Sequence, residues 1–146
     1  FLTMDVKPFL LTPALNAIMG QRLVRRVCSN CKQEITPEPE KIERVKQLLL
    51  AIPDGHPDKP DLTAMKFFAG KGCDVCHGLG YKGRIGIYEI LIMTPEIEKM
   101  ILGGRVSEYD MQEVGIKNGM LTMVQDGLIK ALKGITSLDE VFRVSE

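Results

Sequence analysis

Residues 28–31 read Cys-Ser-Asn-Cys, and residues 72–80 read Gly-Cys-Asp-Val-Cys-His-Gly-Leu-Gly. These two C-x-x-C pairs contain all four cysteines of the chain: Cys28, Cys31, Cys73 and Cys76. Two residues between the thiols allow the backbone to turn tightly, so that both sulfurs face one ion. Two such turns supply the ligands of a closed, tetrahedral site. The pattern therefore predicts one structural Zn²⁺ ion held by these cysteines.

Glycines and lysines flank the two pairs. Gly72, Gly78 and Gly80 allow the backbone to approach the sulfurs, so that amide N–H groups can donate to them. Such donors are needed because four thiolates around a dication leave a net negative charge. Lys32 and Lys71 can offset that charge further. The wide interval between the pairs is compatible with one site, since the cost of closing a loop grows slowly with its length.

Other uses of the cysteines remain open at the level of sequence. One or two disulfides would form if the protein were exported to an oxidising compartment. A thioredoxin-like redox pair needs one C-x-x-C at a helix start after a strand, and the presence of two pairs argues against it. Cys73-Asp-Val-Cys76-His77 also fits the C-x-x-C-H pattern of c-type haem attachment, which would leave Cys28 and Cys31 without a role. We interpret His77 as a neighbour of the metal site.

Composition narrows the classes of function. The chain has 146 residues, of which 45% are hydrophobic, enough for a core of its own. Nineteen basic and nineteen acidic residues cancel, which argues against non-specific nucleic-acid binding. No apolar run approaches the roughly 18–20 residues of a membrane span. The sequence begins at Phe1 without a signal-peptide pattern, so we expect a fragment of a longer cytoplasmic protein.

The first part of the chain is predicted to form a helix. Thr12-Pro13 is a helix-start signal, and Pro8 is expected to limit regular structure before it. Arg22, Arg25 and Arg26 would crowd the last turns of this helix. We interpret them as a solvated helix end, with contact to a nucleotide phosphate or an acidic neighbouring domain as the alternative. The helix should end at Cys28, because its apolar residues follow near-helical spacing up to that point: Leu15, Ile18, Met19, Leu23 and Val27.

The remaining elements give a helix-rich α+β pattern. Helices are predicted at 36–52, 95–102, 107–118, 121–133 and from 138 onwards, and strands at 66–68 and 84–93. Gly83 and Gly86 indicate a bend or bulge in the second strand. Residues 53–61 read as an exposed proline-rich loop in which His56 is solvated. Ser107 with Asp110 resembles a capping box. The predicted fold is therefore a helix-rich small domain with a short sheet and a four-cysteine zinc site.

No catalytic centre is recognisable in the sequence. The chain contains no G-x-x-x-x-G-K-[ST] phosphate loop, no H-E-x-x-H motif and no G-x-S-x-G motif. Glu89, Glu96 and Glu98 are scattered carboxylates that we interpret as surface charges. We therefore expect no turnover by this chain on its own.

Three stretches together resemble a known family. Residues 15–31, Leu-Asn-Ala-Ile-Met-Gly-Gln-Arg-Leu-Val-Arg-Arg-Val-Cys-Ser-Asn-Cys, are similar to the end of the ATPase core in the secretion ATPases of type II secretion and type IV pilus assembly. The resemblance implies that a helix carrying the Gln-Arg-Leu-Val-Arg motif leads directly into the first C-x-x-C pair. Residues 72–89 are similar to the second cysteine pair and the strand after it. Residues 120–141 resemble the C-terminal helices.

The resemblance implies a place in a larger machine. Members are hexameric cytoplasmic motors with a RecA-like core, whose ATP hydrolysis turns an inner-membrane platform protein. The nucleotide-binding motifs would precede Phe1, so that ATP binds only in the longer parent, itself an ATPase. The chain would comprise the end of the ATPase core (1–27), a tetracysteine zinc-binding subdomain with an inserted helix and loop (28–93), and a C-terminal helical subdomain (94–146).

The same resemblance predicts partners and location. The expected partners are the chain's own ATPase core, neighbouring subunits of a hexamer and the platform protein, with no nucleic acid. The expected location is cytoplasmic, peripheral at the inner membrane through these partners. The alternative function is a free-standing zinc-knuckle module for nucleic acid or protein. Few aromatic residues (5%) argue against base stacking by such a module.

Overall fold

The computed structural model describes residues 6–104 and 107–145. The helices within these ranges are α1 Pro8–Leu11, α2 Pro39–Leu50, α3 Pro95–Leu102, α4 Glu108–Lys117, α5 Met123–Leu132 and α6 Leu138–Ser145. The strands are β1 Ala17–Val27, β2 Lys32–Ile35, β3 Phe67–Gly70 and β4 Tyr81–Ile92. The α+β prediction is confirmed. However, the four strands form two separate antiparallel pairs, β1–β4 and β2–β3, where one short sheet was expected.

The predicted first helix is wrong, because residues 17–27 form strand β1. β1 pairs along almost its whole length with β4, from Ala17 opposite Ile92 to Val27 opposite Tyr81. Gly20 is a poor helix residue, and the long antiparallel partner supplies the hydrogen bonds that a helix would have made internally. The apolar residues that suggested a helical face are not buried together: Ile18, Met19 and Leu23 are exposed, whereas Val27 is buried.

The segment before β1 also differs from the prediction. Pro8 is the first residue of the one-turn helix α1, a position where its missing N–H costs nothing. Thr12, expected to begin a helix, instead lies at the C-terminal end of α1, and its N–H donates to the Pro8 carbonyl. The part of the predicted irregular segment at residues 1–5 lies outside the described residues.

A bulge interrupts the β1–β4 pair at Gly83, one of the two glycines that indicated a bend or bulge in the sequence. Arg25 lies opposite Arg84 and Val27 opposite Tyr81, so one residue of β1 faces two residues of β4. Gly83 has a φ of +80°, which suits the extra residue of such a bulge. Gly86, the other expected position, pairs regularly with Leu23.

The predicted helices at 36–52, 95–102, 107–118 and 121–133 are confirmed with small shifts of their ends, and the first of them begins at Pro39. Thr94 caps α3 by accepting from the Ile97 N–H. The Ser107 side chain makes no capping hydrogen bond, so the proposed capping box there is wrong. A capping box does form at α5, where Thr122 and Gln125 exchange hydrogen bonds.

The hydrophobic core lies between α2, β3, α5 and α6. Its buried members come from these four elements and from Ile52 just after α2: Val45, Leu49, Ile52, Phe67, Leu128, Ile129, Ala131, Leu138 and Val141. One apolar face of α2 therefore packs against the core. The β1–β4 pair is attached to this core through α5, since Tyr88 N–H donates to Asp126 and Lys130 donates to the Gly86 carbonyl.

Within the described residues, no helix has the length and apolar character that a membrane crossing requires.

Candidate metal centre

The two cysteine pairs lie at the junction of the two sheets. The first pair occupies the turn between β1 and β2, and the second lies between β3 and β4, where Cys73 precedes a short 3-10 turn at Asp74–Cys76. β2 and β3 are paired from Lys32 opposite Gly70 to Ile35 opposite Phe67. This pairing, immediately beyond Cys31, brings together turns that are far apart in sequence. The sequence suggested only a metal ion to bring the two distant cysteine pairs together. In the structure, the pairing of β2 with β3 also does so.

The four sulfurs form one compact group. Their Sγ atoms all lie within 4.8 Å of one another. The Sγ–Sγ distances are 3.9 Å for Cys28 and Cys73, 3.8 Å for Cys31 and Cys76, and 3.6 Å for Cys73 and Cys76. A tetrahedral zinc ion with Zn–S bonds of about 2.3 Å has S–S edges of about 3.8 Å. The spacing of the thiols therefore fits a zinc-sized ion.

Backbone amides point at the sulfurs, as the glycines suggested. Cys76 Sγ accepts from the N–H groups of Cys73 and Gly80, each at 3.2 Å. The Gly72 N–H interacts with the Cys31 thiol. Gly78 behaves differently, because its N–H donates to the Cys73 carbonyl and so closes the turn. These donors stabilise thiolate charge, which is what a metal site of four cysteines requires.

Burial, amide donors and neighbouring thiols shift the pKa values of Cys76 and Cys31 in opposite directions. Burial acts to raise the pKa of Cys76, but the two N–H donors and the neighbouring thiols outweigh it and lower the value to about 6. Burial and hydrogen bonds with the other three thiols raise the pKa of Cys31 to about 12, against the opposing effect of the Gly72 N–H. Because the thiolate is the metal-binding form, the lowered pKa of Cys76 favours binding of a cation there.

Close packing of backbone on backbone shapes the second turn. A Cβ atom on Gly70 would overlap the Gly80 carbonyl oxygen, and one on Gly72 would lie 2.7 Å from the Gly78 oxygen. Gly72, Gly78 and Gly80 also have positive φ angles of +92°, +77° and +75°. The turn that carries Cys73 and Cys76 therefore depends on positions that only glycine can occupy without strain.

The positions of the sulfurs argue against disulfides and against haem attachment as uses of these cysteines. All four are free thiols, and their Sγ distances are far above the roughly 2.05 Å of a disulfide. Cys73 and Cys76 share one cluster with Cys28 and Cys31, whereas haem attachment would leave the first pair without a role. His77 is not a member of the cluster. It has a left-handed φ of +51° at the end of the 3-10 turn.

His56 is not simply solvated, as the sequence had suggested. Its Nε2 lies 3.2 Å from the Gly119 carbonyl oxygen, and its Nδ1 accepts from the Asp58 N–H. The ring therefore ties the proline-rich loop to the turn between α4 and α5.

A cluster of charged side chains was not foreseen from the sequence. The Glu140 carboxylate is 2% exposed, and it accepts from both the side chain and the backbone N–H of Arg25. Arg143 donates two further hydrogen bonds to it, at 3.0 Å each. Burial acts to raise the pKa of Glu140, but the two guanidinium groups and the N–H lower it to about 2. The one available signal was the Ser137-x-x-Glu140 pattern at the start of α6.

The fold and the four-thiol cluster together define a small α+β domain of the tetracysteine class. Comparison with known proteins gives the family. The family described as Type II/IV secretion system protein matches residues 1–143. The chain is 40% identical over 138 residues to the type IV pilus assembly ATPase PilB of Thermus thermophilus. It is 36% identical over 145 residues to PilB of Pseudomonas aeruginosa, and 36% identical over 143 residues to the type II secretion system protein E of Klebsiella pneumoniae.

The chain thus belongs to the type II/IV secretion system protein family, as its motifs suggested. These three matches cover 94%, 99% and 98% of this chain, but 14%, 24% and 26% of the respective relatives. The chain therefore spans between a seventh and about a quarter of the length of the curated relatives that it matches.

Proposed function

We propose that this chain is the metal-binding part of a traffic ATPase that powers type IV pilus assembly or type II protein secretion. The observation that carries the proposal is the group of four sulfurs within 4.8 Å, in a chain of this family. Cys28, Cys31, Cys73 and Cys76 would hold one structural Zn²⁺. A closed site of four thiolates leaves no open position for substrate, so the ion would stabilise the fold and would not take part in a reaction.

The pairing of β2 with β3 supports a structural role for the ion. The metal would fasten the two turns at the end of this short sheet, which joins the β1–β4 pair to the core. Free energy of metal binding then becomes free energy of folding for this junction. In this proposal ATP binds and is hydrolysed elsewhere in the longer protein, and this part performs no turnover.

The wider context follows from the family. We propose the division into the end of a RecA-like core (1–27), a tetracysteine subdomain (28–93) and a C-terminal helical subdomain (94–146). The β1–β4 pairing links the first of these parts to the second. The proposed contacts are with the chain's own ATPase core, with neighbouring subunits of a hexamer and with an inner-membrane platform protein, at the cytoplasmic side of that membrane.

Metal content tests the proposal. Zinc per chain is measured by elemental analysis, and reactive thiols are counted before and after chelation. We expect about one zinc per chain and thiols that react only after chelation. Replacement of Cys76 by serine should abolish binding, whereas replacement of the nearby exposed Ser29 by alanine should leave it intact. Absence of metal with four reactive thiols, or covalent haem, would contradict the proposal.

A further inference from the structure

A groove lined by methionines lies between helix α4 and one face of the β1–β4 pair. Ile18 and Leu91 are directly opposite each other in the ladder, so their side chains lie on the same face. Met111 of α4 and Met120 of the following turn add to the apolar lining. The groove has a volume of about 480 Å³, within the range of about 300–1,000 Å³ for binding sites in proteins. Two carboxylates complete this methionine groove, whose main lining residues are Ile18, Glu89, Leu91, Glu108, Met111 and Met120.

Gly115 fixes α4 against the strands beside the groove. The Leu91 Cδ1 atom lies 2.6 Å from the position that a Cβ on Gly115 would take, and the Met120 Sδ and Cε atoms lie 3.1 Å from it. A side chain at this buried position would therefore push the helix away from both residues. Met111 lies one turn earlier on the same side of α4, where it is half-buried. The groove is thus formed by the packing of the folded chain itself.

Apolar side chains at the groove remain in contact with solvent. Ile18 is 41% exposed, and Met19, the next residue of β1, is 59% exposed and also lines the groove. Met111 and Leu91 are half-buried. Covering such surface with apolar groups of a partner is favourable. Methionine side chains are flexible and polarizable, so they adapt to apolar groups of different shapes. The groove therefore suits the apolar side chains of a ligand.

The groove also carries negative charge. Glu89 and Glu108 line it, and no lysine or arginine among the described residues does. The Glu89 carboxylate accepts a hydrogen bond from the Met123 N–H at 3.1 Å, which holds it beside the start of α5. Glu108 is exposed in the first turn of α4. None of the ion pairs within residues 6–104 and 107–145 includes either carboxylate. A complementary ligand is therefore both apolar and cationic.

We propose that the methionine groove binds a short, basic, amphipathic helical segment of a partner protein. One stripe of such a helix carries apolar side chains that pack on Ile18 and Met111, and lysines or arginines beside the stripe pair with Glu89 and Glu108. Charge complementarity selects this occupant, because the two carboxylates repel nucleic acids, anionic lipid surfaces and acidic segments of proteins. The inference rests on the groove alone and does not depend on a metal at the cysteines.

The test is a titration of the chain with a fluorescently labelled amphipathic helical peptide of leucine and lysine, followed by anisotropy at physiological ionic strength. Two peptides with the same pattern serve as matched probes. One replaces lysine by glutamate, and the other replaces leucine by serine. We expect saturable binding of the leucine–lysine peptide only. Amide NMR shifts caused by this peptide should be confined to α4, the turn after it and the adjoining ends of β1 and β4.

Variants of the chain test the two parts of the recognition. Met111→Ser should weaken binding by about fivefold, because it removes part of the apolar area that the peptide covers. Glu108→Gln should weaken it by about threefold, the size expected for an exposed ion pair. Glu113→Gln is the control, because it removes the same charge from an exposed position of the same helix that does not line the groove. Glu108 is exposed, so its variant keeps the fold even if Met111→Ser loosens α4.

Several outcomes would overturn the proposal. One is the absence of saturable binding of the leucine–lysine peptide, and another is equal binding of the serine–lysine peptide, which would show that charge alone is responsible. Equal weakening by Glu113→Gln and Glu108→Gln would show that the peptide does not occupy the groove. Self-association of the chain in sedimentation, abolished by Met111→Ser, would assign the groove to a second copy of the chain.

Discussion

At the scale of single residues, the narrowest constraint is the crossing of the chain at Gly70 and Gly80. A side chain on Gly70 would overlap the backbone of Gly80, which cannot rotate away as a side chain could. We expect Gly70→Ala to destabilise the protein by at least about 2 kcal/mol, within the range for overpacked interiors. It should also weaken zinc binding, because Gly80 donates to Cys76. Urea unfolding and competition with a chelator measure the two effects.

Gly78→Ala is the matched control for this substitution. Gly78 has a φ of +77° but no atom within 4 Å of an added Cβ, so its replacement costs only the left-handed backbone, about 1 kcal/mol. If the two variants were equally stable, the close approach at Gly70 would not be a real constraint.

Glu140 gives the protein a pH dependence of known sign. Its pKa is lowered from 4.5 to about 2 in the folded protein, so its contribution is complete above pH 4.5 and is lost as the pH falls towards 2. We expect Glu140→Gln to reduce the free energy of unfolding by about 2 kcal/mol at neutral pH, allowing for solvent screening at the half-exposed arginines.

The measurement for Glu140 is the difference in unfolding free energy between wild type and Glu140→Gln as a function of pH. This difference should shrink between pH 4.5 and pH 2. Acid release of metal affects both proteins alike, because they carry the same cysteines, and so cancels in the difference. A difference that stays constant through this range would rule out the carboxylate as its source.

At the scale of elements, β1 is the part that the sequence misassigned. Its apolar residues alternate between the two faces of a strand, so adjacent positions differ in burial: Val24 is 0% exposed and Leu23 is 49% exposed. We expect Val24→Ala to cost about 2 kcal/mol and Leu23→Ala less than about 0.5 kcal/mol. Thermal or urea unfolding of the two variants is the measurement. Similar costs at both positions would contradict the strand.

The proline-rich loop at residues 53–61 is the element that we propose for contact with a partner protein. It is anchored by His56 to the turn between α4 and α5, while much of its surface is exposed. Replacing the loop by a short linker in the full-length protein should impair pilus or secretion assembly but spare ATPase activity. His56→Ala, which keeps the loop but releases its anchor, should have a smaller effect. Equal loss of assembly and ATPase activity would count against a contact role.

At the scale of the whole molecule, the four-cysteine cluster, which we propose binds zinc, lies apart from the hydrophobic core. Eight of the nine buried core residues lie in α2, β3, α5 and α6, the ninth, Ile52, lies just after α2, and none is a cysteine. We therefore expect chelation to raise amide hydrogen exchange in residues 28–35 and 67–80, while α5 and α6 stay protected. Hydrogen exchange followed by mass spectrometry distinguishes this local loosening from unfolding of the whole chain. Loss of protection in α5 and α6 as well would show that the core depends on the metal.

The sequence alone determined the parts that depend on local chemistry. The two C-x-x-C pairs predicted a four-thiol cluster, and local helix signals predicted α3 at 95–102, because spacing, turn residues and caps act within a few residues. The family motifs were equally local.

Only the tertiary structure decided the features that need a distant partner. Residues 17–27 became a strand because β4 lies beside them, and the pairing of β2 with β3 brought the two cysteine turns together. Arg25 and Glu140 meet although 115 positions separate them in the chain. In each case the stabilising hydrogen bonds run between segments far apart in sequence, and local patterns carry no record of which segments will meet.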